Sequence, residues 1–492
     1  MLRKYILSAL LGVVSLSAFS QSIDEKIGNA MNASDWFALD SIYSVTPKDS
    51  IHPFLEVYSR CLLGNRLNRP DVSIPAFQEL LSTQSQNLDL GNLISSTYML
   101  GMDLSRVGRN AGAASYTEAV IDSAGQYLDP TTLNGLTNAA KRYASLARYT
   151  PYQIEMPQGN VATVPFAIVP VGPKDKGSVH MHLTESTLNG IAADITFDTG
   201  AGANIISVEM AEKYNLIPLD SASINVVGMA NRIGEIAIAK ELKIGDIIIK
   251  DVPFIVMQLS SNNAEADQYF ETFNIMVGSE LMLQLKDLTI DFVNRKITIP
   301  TEAPTRSGAT PNMCFSSTMN LLAKGKLLDE QMLVCLDSGD ASFGTAGNQF
   351  YEANKEWIDN CGRQDSIRSA GIAGTAVEQC YYVPNMPVTI ARTTVIPTEF
   401  VVKTETMATP EGYDARIGLR TLMLYGTIQF NMVDFVVSTK QPTLSYDLTV
   451  NRPLPTFKFT NPRPTFLQTV GLIGMSVANG LLNHNAPTAP DL

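Results

Sequence analysis

Ile195-Thr196-Phe197-Asp198-Thr199-Gly200-Ala201 is the stretch on which the fold turns, and Leu333-Val334-Cys335-Leu336-Asp337-Ser338-Gly339-Asp340 matches it further along the chain. In both, an apolar run ends on aspartate, a hydroxyl residue and glycine. Such a run reads as a strand that delivers a carboxylate into a tight turn. One Asp-Thr/Ser-Gly triplet is weak evidence, since average residue usage gives roughly 0.2 per chain of this length by chance. The surroundings strengthen it. Asn274-Ile275-Met276-Val277-Gly278 follows the first aspartate and Ala415-Arg416-Ile417-Gly418 the second, with Gly278 and Gly418 almost equally far beyond their aspartates. After each glycine comes a leucine, Leu281 or Leu422, and then a strand-like segment, Leu288–Phe292 or Tyr425–Phe430. Between the anchors lie two glycine-rich turns, Gly228-Met229-Ala230-Asn231-Arg232-Ile233-Gly234 and Gly371-Ile372-Ala373-Gly374. The pattern is an internal repeat, with one copy over 160–300 and the other over 311–450.

These residues resemble the aspartic peptidases of the retropepsin and pepsin superfamily. Phe197-Asp198-Thr199-Gly200-Ala201 is similar to the family's catalytic signature, and Met276-Val277-Gly278 to its closing apolar-apolar-glycine motif. The resemblance covers about 160–450 and implies a mainly β fold. Two retropepsin-like lobes on one chain would bring Asp198 and Asp337 together across a pseudo-two-fold axis. It also implies that Thr199 and Ser338 hold the two loops by hydrogen bonds, and that Gly228, Met229, Ala230, Gly371 and Ile372 belong to flaps over a peptide. An ordinary hairpin turn is the competing reading of either flap. Ala201 fits the family pattern, but Asp340 does not.

The chemistry favours such a pair. Two adjacent carboxylates cannot both ionise comfortably, so they share a proton. One then serves as base toward a water while the other serves as acid. Gly200 and Gly339 allow the tight turns that present the carboxylates. Such a site needs no metal and no cofactor.

Outward from the repeat, the chain divides further. Segment 1–20 reads as a secretory signal peptide: Arg3 and Lys4, the apolar run Ile6–Val14, then Ala18-Phe19-Ser20. Export to the periplasm or the extracellular space follows from that, with no integral membrane segment after its removal. Segment 21–150 reads as a helical bundle or helical-repeat domain, with apolar stripes such as Phe54, Leu55, Tyr58, Leu62 and Leu63. Prolines at 151, 157, 165, 170 and 173 mark the change to strand texture. The domains expected are therefore 151–305 and 306–450 for the two lobes, and a 451–492 tail with an amphipathic helix over Phe466–Leu482.

Composition narrows the function. The chain has 492 residues, 36 Lys+Arg against 48 Asp+Glu, and a formal charge of −12. An acidic chain without a basic tract is no nucleic-acid binder. The five cysteines leave one unpaired at least; Cys314 with Cys335, across a hairpin turning at Ala323–Lys326, and Cys361 with Cys380 are candidate disulfides, and buried free thiols are the alternative. His180 and His182 alternate on a strand and read as a surface pair rather than a metal site. No serine-hydrolase elbow, Walker loop or dinucleotide fingerprint is present. Three readings follow: a monomeric aspartic endopeptidase acting on peptide or protein substrates, a silent peptide-binding module on the same fold, and a helical region that docks a partner protein.

Overall fold

The computed structural model describes residues 22–171, 177–226, 232–259, 273–316, 320–371, 374–405 and 412–440. The signal-peptide and C-terminal-tail readings lie outside these residues, as do Gly228, Met229, Ala230 and Ile372.

Seven α-helices, from Ile23–Asn32 to Pro130–Leu146, come first. Their boundaries follow from local chemistry. Ser22 and Glu25 form a reciprocal capping box on the first helix. Asp35, Asp89 and Asp129 each accept a backbone N–H at a helix start, and Pro53, Pro70 and Pro130 occupy first turns, where no amide donor is needed. From Pro53–Arg66 onward each helix packs on the next.

The rest is mainly β, in two sheets of fifteen and ten strands among the described residues. In the first sheet, Ile195–Phe197 lies parallel to Ile275–Val277, which is antiparallel to Ile205–Ser207, which is parallel to Ile247–Met257. In the second sheet, Glu330–Asp337 lies parallel to Ala415–Gly418, which is antiparallel to Gly344–Ala346, which is parallel to Glu399–Lys403. Both aspartates therefore leave a central strand at its C-terminal end. The first sheet also takes in two strands from the second half of the chain. Thr427–Asn431 pairs with Asp287–Asp291, and Val436–Thr439 pairs with Thr427–Asn431. One apolar core, including Phe197, Leu288, Leu336 and Phe430, runs through both sheets.

Three sequence expectations change. The hairpin after Cys314 turns at Leu328-Asp329, while Ala323–Lys326 lies inside the strand Leu321–Leu327. Leu322 pairs with Cys314 on one side and Cys335 on the other, so a whole strand separates the two cysteines, and none of the five cysteines is in a disulfide. His180 and His182 are buried rather than on the surface. Both lie on the strand Val179–Leu183, His180 edge-on to Phe273 and His182 bound through Nδ1 to Asp194 Oδ1 at 2.6 Å.

The helical region is not a separate body. Cys314, Leu322, Leu333 and Cys335 of the second sheet are buried in the same apolar cluster as Leu62, Phe77 and Leu100 of the helices. Leu146 packs with Leu219, Ile236 and Ile238 of the first sheet. Asn68 Nδ2 donates to Met432 O at 2.8 Å.

Candidate active site

Asp198 and Asp337 come together as the repeat leads one to expect. Each carboxylate first organises its own turn. Asp198 Oδ1 accepts from Gly200 N at 2.9 Å and Ala201 N at 3.1 Å; Asp337 Oδ1 accepts from Gly339 N at 2.9 Å and Asp340 N at 3.0 Å. Two glycines then let the turns meet. A Cβ on Gly200 would stand 2.3 Å from Asp337 Cγ, and one on Gly339 would stand 2.3 Å from Asp198 Oδ2. Any side chain at either position would occupy the space of the opposite carboxylate.

Thr199 and Ser338 lock this arrangement. Thr199 N donates to Ser338 Oγ at 2.9 Å, and Ser338 N donates to Thr199 Oγ1 at 3.0 Å. Thr199 Oγ1 in turn donates to Leu336 O at 2.6 Å, and Ser338 Oγ donates to Phe197 O at 2.7 Å. Each hydroxyl is buried and both donates and accepts across the junction. The loops cannot slide apart without breaking these four buried hydrogen bonds.

The electrostatics follow from that enclosure. Each carboxyl sits against the glycine of the other's turn, so the two are close neighbours. Burial, and then the charge of Asp198, push Asp337 up to about 7. Burial also raises Asp198, against the hydrogen bonds it accepts. The pair consequently holds one proton between its members over a range where free aspartate would be ionised.

Two charged side chains adjoin the pair. Asp340 does not spoil its loop: its Oδ1 accepts from Ser342 N at 2.9 Å and Ser342 Oγ at 2.7 Å, which closes the turn after Gly339. Arg416 Nε lies 3.3 Å from Asp337 Oδ2 and also donates to Tyr413 Oη at 3.1 Å. Arg416 is a site residue that sequence reasoning missed, although its segment belongs to the repeat. The signal is its place two residues before Gly418, where the first half carries Met276.

The second anchors brace the loops from behind. Asp198 N donates to Val277 O and Ser279 N to Ala201 O, at 2.9 and 2.8 Å. Leu419 N donates to Asp340 O at 2.8 Å in the other half. Asn204, also not anticipated, accepts from Gly278 N at 3.1 Å and donates to Pro253 O at 3.1 Å.

The flap positions divide. Gly371 pairs with Gly374 at the tip of the hairpin formed by Arg363–Gly371 and Gly374–Pro384. The strands Ile217–Val226 and Arg232–Ile244 pair antiparallel in the first sheet, and Gly228, Met229 and Ala230, between them in the chain, lie outside the described residues. Among the described residues no cluster of three or more His, Cys, Asp or Glu could hold a metal ion, and no helix is long and apolar enough to cross a membrane.

Comparison with known proteins adds one finding. No curated protein matches the chain. Residues 184–265, which contain Asp198-Thr199-Gly200, match the family model of the gag-polyprotein putative aspartyl protease, so this part of the chain is similar to a retropepsin-like aspartic protease domain.

Proposed function

We propose that the protein is an aspartic endopeptidase in which Asp198 and Asp337 together activate a water against a peptide carbonyl. The observation that carries this reading is the enclosed carboxyl pair, each member presented by a turn whose glycine faces the other. The singly protonated pair supplies what the reaction needs. Its ionised carboxylate accepts a proton from the water as the oxygen attacks. Its protonated carboxyl donates to the carbonyl oxygen to give a gem-diol; as the C–N bond breaks, the carboxyl that took the water's proton passes it to the leaving nitrogen, and the other regains its proton from the gem-diol hydroxyl. The two sheets act as pseudo-symmetric lobes of one monomeric site. The paired strands Ile217–Val226 and Arg232–Ile244 and the hairpin of Arg363–Gly371 with Gly374–Pro384 cover the peptide. The substrate enters extended and pairs through its main chain. The leader-like segment 1–20 supports action outside the cytoplasm.

A silent peptide-binding module is the second reading, and Asp340 is the residue that favours it. The test is cleavage of a mixed peptide library from pH 3 to 8, with new termini read by mass spectrometry. Asp198→Asn and Asp337→Asn should each lower cleavage at least about 100-fold, the low end of what a positioned acid or base contributes. Either variant cleaving at the parent rate would refute the pair. Peptide binding without turnover by the folded parent chain would establish the silent module.

A further inference from the structure

Asp340 and Arg416 are two charges that the second half carries around the carboxyl pair where the first half has uncharged residues, and they are opposite in sign. Three residues after the aspartate, the first half has Ala201 and the second Asp340. Two residues before the anchoring glycine, the first half has Met276 and the second Arg416. Met276 is buried among Ile205, Ile255 and Phe273. Arg416 instead reaches Asp337.

We propose that Asp340 and Arg416 form a compensating pair of charges around the dyad, with Arg416 the positioning residue that supplies the counter-charge to the dyad's shared negative charge. This deepens the peptidase reading, and rests on it only for the consequence in turnover.

The geometry is specific. The parallel pairing of Ala415–Gly418 with Glu330–Asp337 sets Arg416 opposite Cys335, and Asp337 opposite Gly418. Tyr413 Oη accepts from Arg416 Nε and Nη2, which aims the guanidinium along the strand toward Asp337. Asp340 Cγ lies 3.1 Å from where a Cβ of Gly418 would stand, on the same strand end. Asp340 is held there by Ser342, so its charge cannot swing away. The other charged groups of this segment face elsewhere: Asp414 accepts from Leu333 N at 2.7 Å, and Arg420 stacks 3.8 Å above Phe343.

The physics gives each charge a sign. A third carboxylate adds negative potential and would keep both dyad protons on to higher pH. A guanidinium in contact with Asp337 opposes that, and burial strengthens the effect. Burial and the charge of Asp337 raise Asp340, while Arg416 lowers Asp198, Asp337 and Asp340 alike.

The test follows the carboxyl signals of the full chain, labelled with 13C at the Asp γ-carbons, through a pH titration. Asp198→Asn and Asp337→Asn identify the dyad signals. In Arg416→Met the dyad midpoints should rise by about one pH unit or more, the scale set by an opposite charge in contact. Arg416→Lys should keep them near the parent values, and Asp340→Ala should lower them. The double variant Asp340→Ala/Arg416→Met, which gives the second half the first half's residues, should return them toward the parent. The two limbs of the cleavage–pH profile should move the same way. Unmoved midpoints in Arg416→Met, or a rise in Asp340→Ala, would overturn the proposal. Should Arg416→Met not fold, Arg416→Lys and Asp340→Ala decide it. Midpoints that shift as stated with no peptide cleaved by any form would uphold the charge pair and refute the peptidase. Cleavage with fixed midpoints would do the reverse.

Discussion

At the scale of single residues, the carboxyl pair is a site that the fold stabilises against its own ionisation. The sign of its effect on stability follows. Asp337 keeps its proton up to about 7 in the folded chain, whereas an unfolded aspartate releases it near about 3.9. The stability it contributes is therefore fully present below about pH 4 and is lost as pH rises toward about 7. Asp198, Asp340, the buried Asp103 and the partly buried Glu280 are raised by burial as well and act in the same direction. Thermal unfolding between pH 4 and 7 should show these groups lowering the melting temperature as pH rises, against buried His180, which is lowered to about 4 and acts the other way. Asp337→Asn should flatten part of that slope, because its amide has no charge to desolvate. An unchanged pH dependence in Asp337→Asn would mean the pair is not enclosed.

At the scale of elements, the decisive unit is the crossed pair of turns. Thr199 and Ser338 serve each other's backbone and each other's preceding strand. Thr199→Val keeps the shape and removes the hydroxyl, leaving Leu336 C=O and Ser338 N–H buried without that partner. Urea denaturation should show a loss of about 1–3 kcal/mol for each group left so. Thr199→Ser should recover most of it, since the oxygen is restored. Equal stability of the Val and Ser forms would show that the crossed bonds do not hold the turns.

At the scale of the whole molecule, the helices and sheets share a core. Leu322 is fully buried in the cluster that also holds Leu62 and Phe77. A detachable partner-docking region would unfold by itself, and this one should not. The two tryptophans sit on either side, Trp36 in the helical region and Trp357 in the helix Lys355–Cys361 beside the second sheet. Single-tryptophan variants should report the same denaturant midpoint. Leu322→Ala should lower both together, by about 2–5 kcal/mol for a leucine removed from a packed core. Separate midpoints would restore the view of an independent domain.

The sequence by itself determined the helical start, the strands, the two aspartate turns and the pairing of Asp198 with Asp337. Those rest on local signals, namely apolar periodicity, caps and glycine turns, and on a spacing repeated along one chain. It did not reveal that Thr427–Asn431 joins the first sheet, that a strand separates Cys314 from Cys335, or that His180 and His182 are buried. Each depends on which strand lies beside which, and no local signal encodes that. Arg416 lay in plain view two residues before Gly418, yet only the register that sets it opposite Cys335 brings its guanidinium to Asp337. Its role is electrostatic, and a charge acts through distance in space, which tertiary structure alone decides.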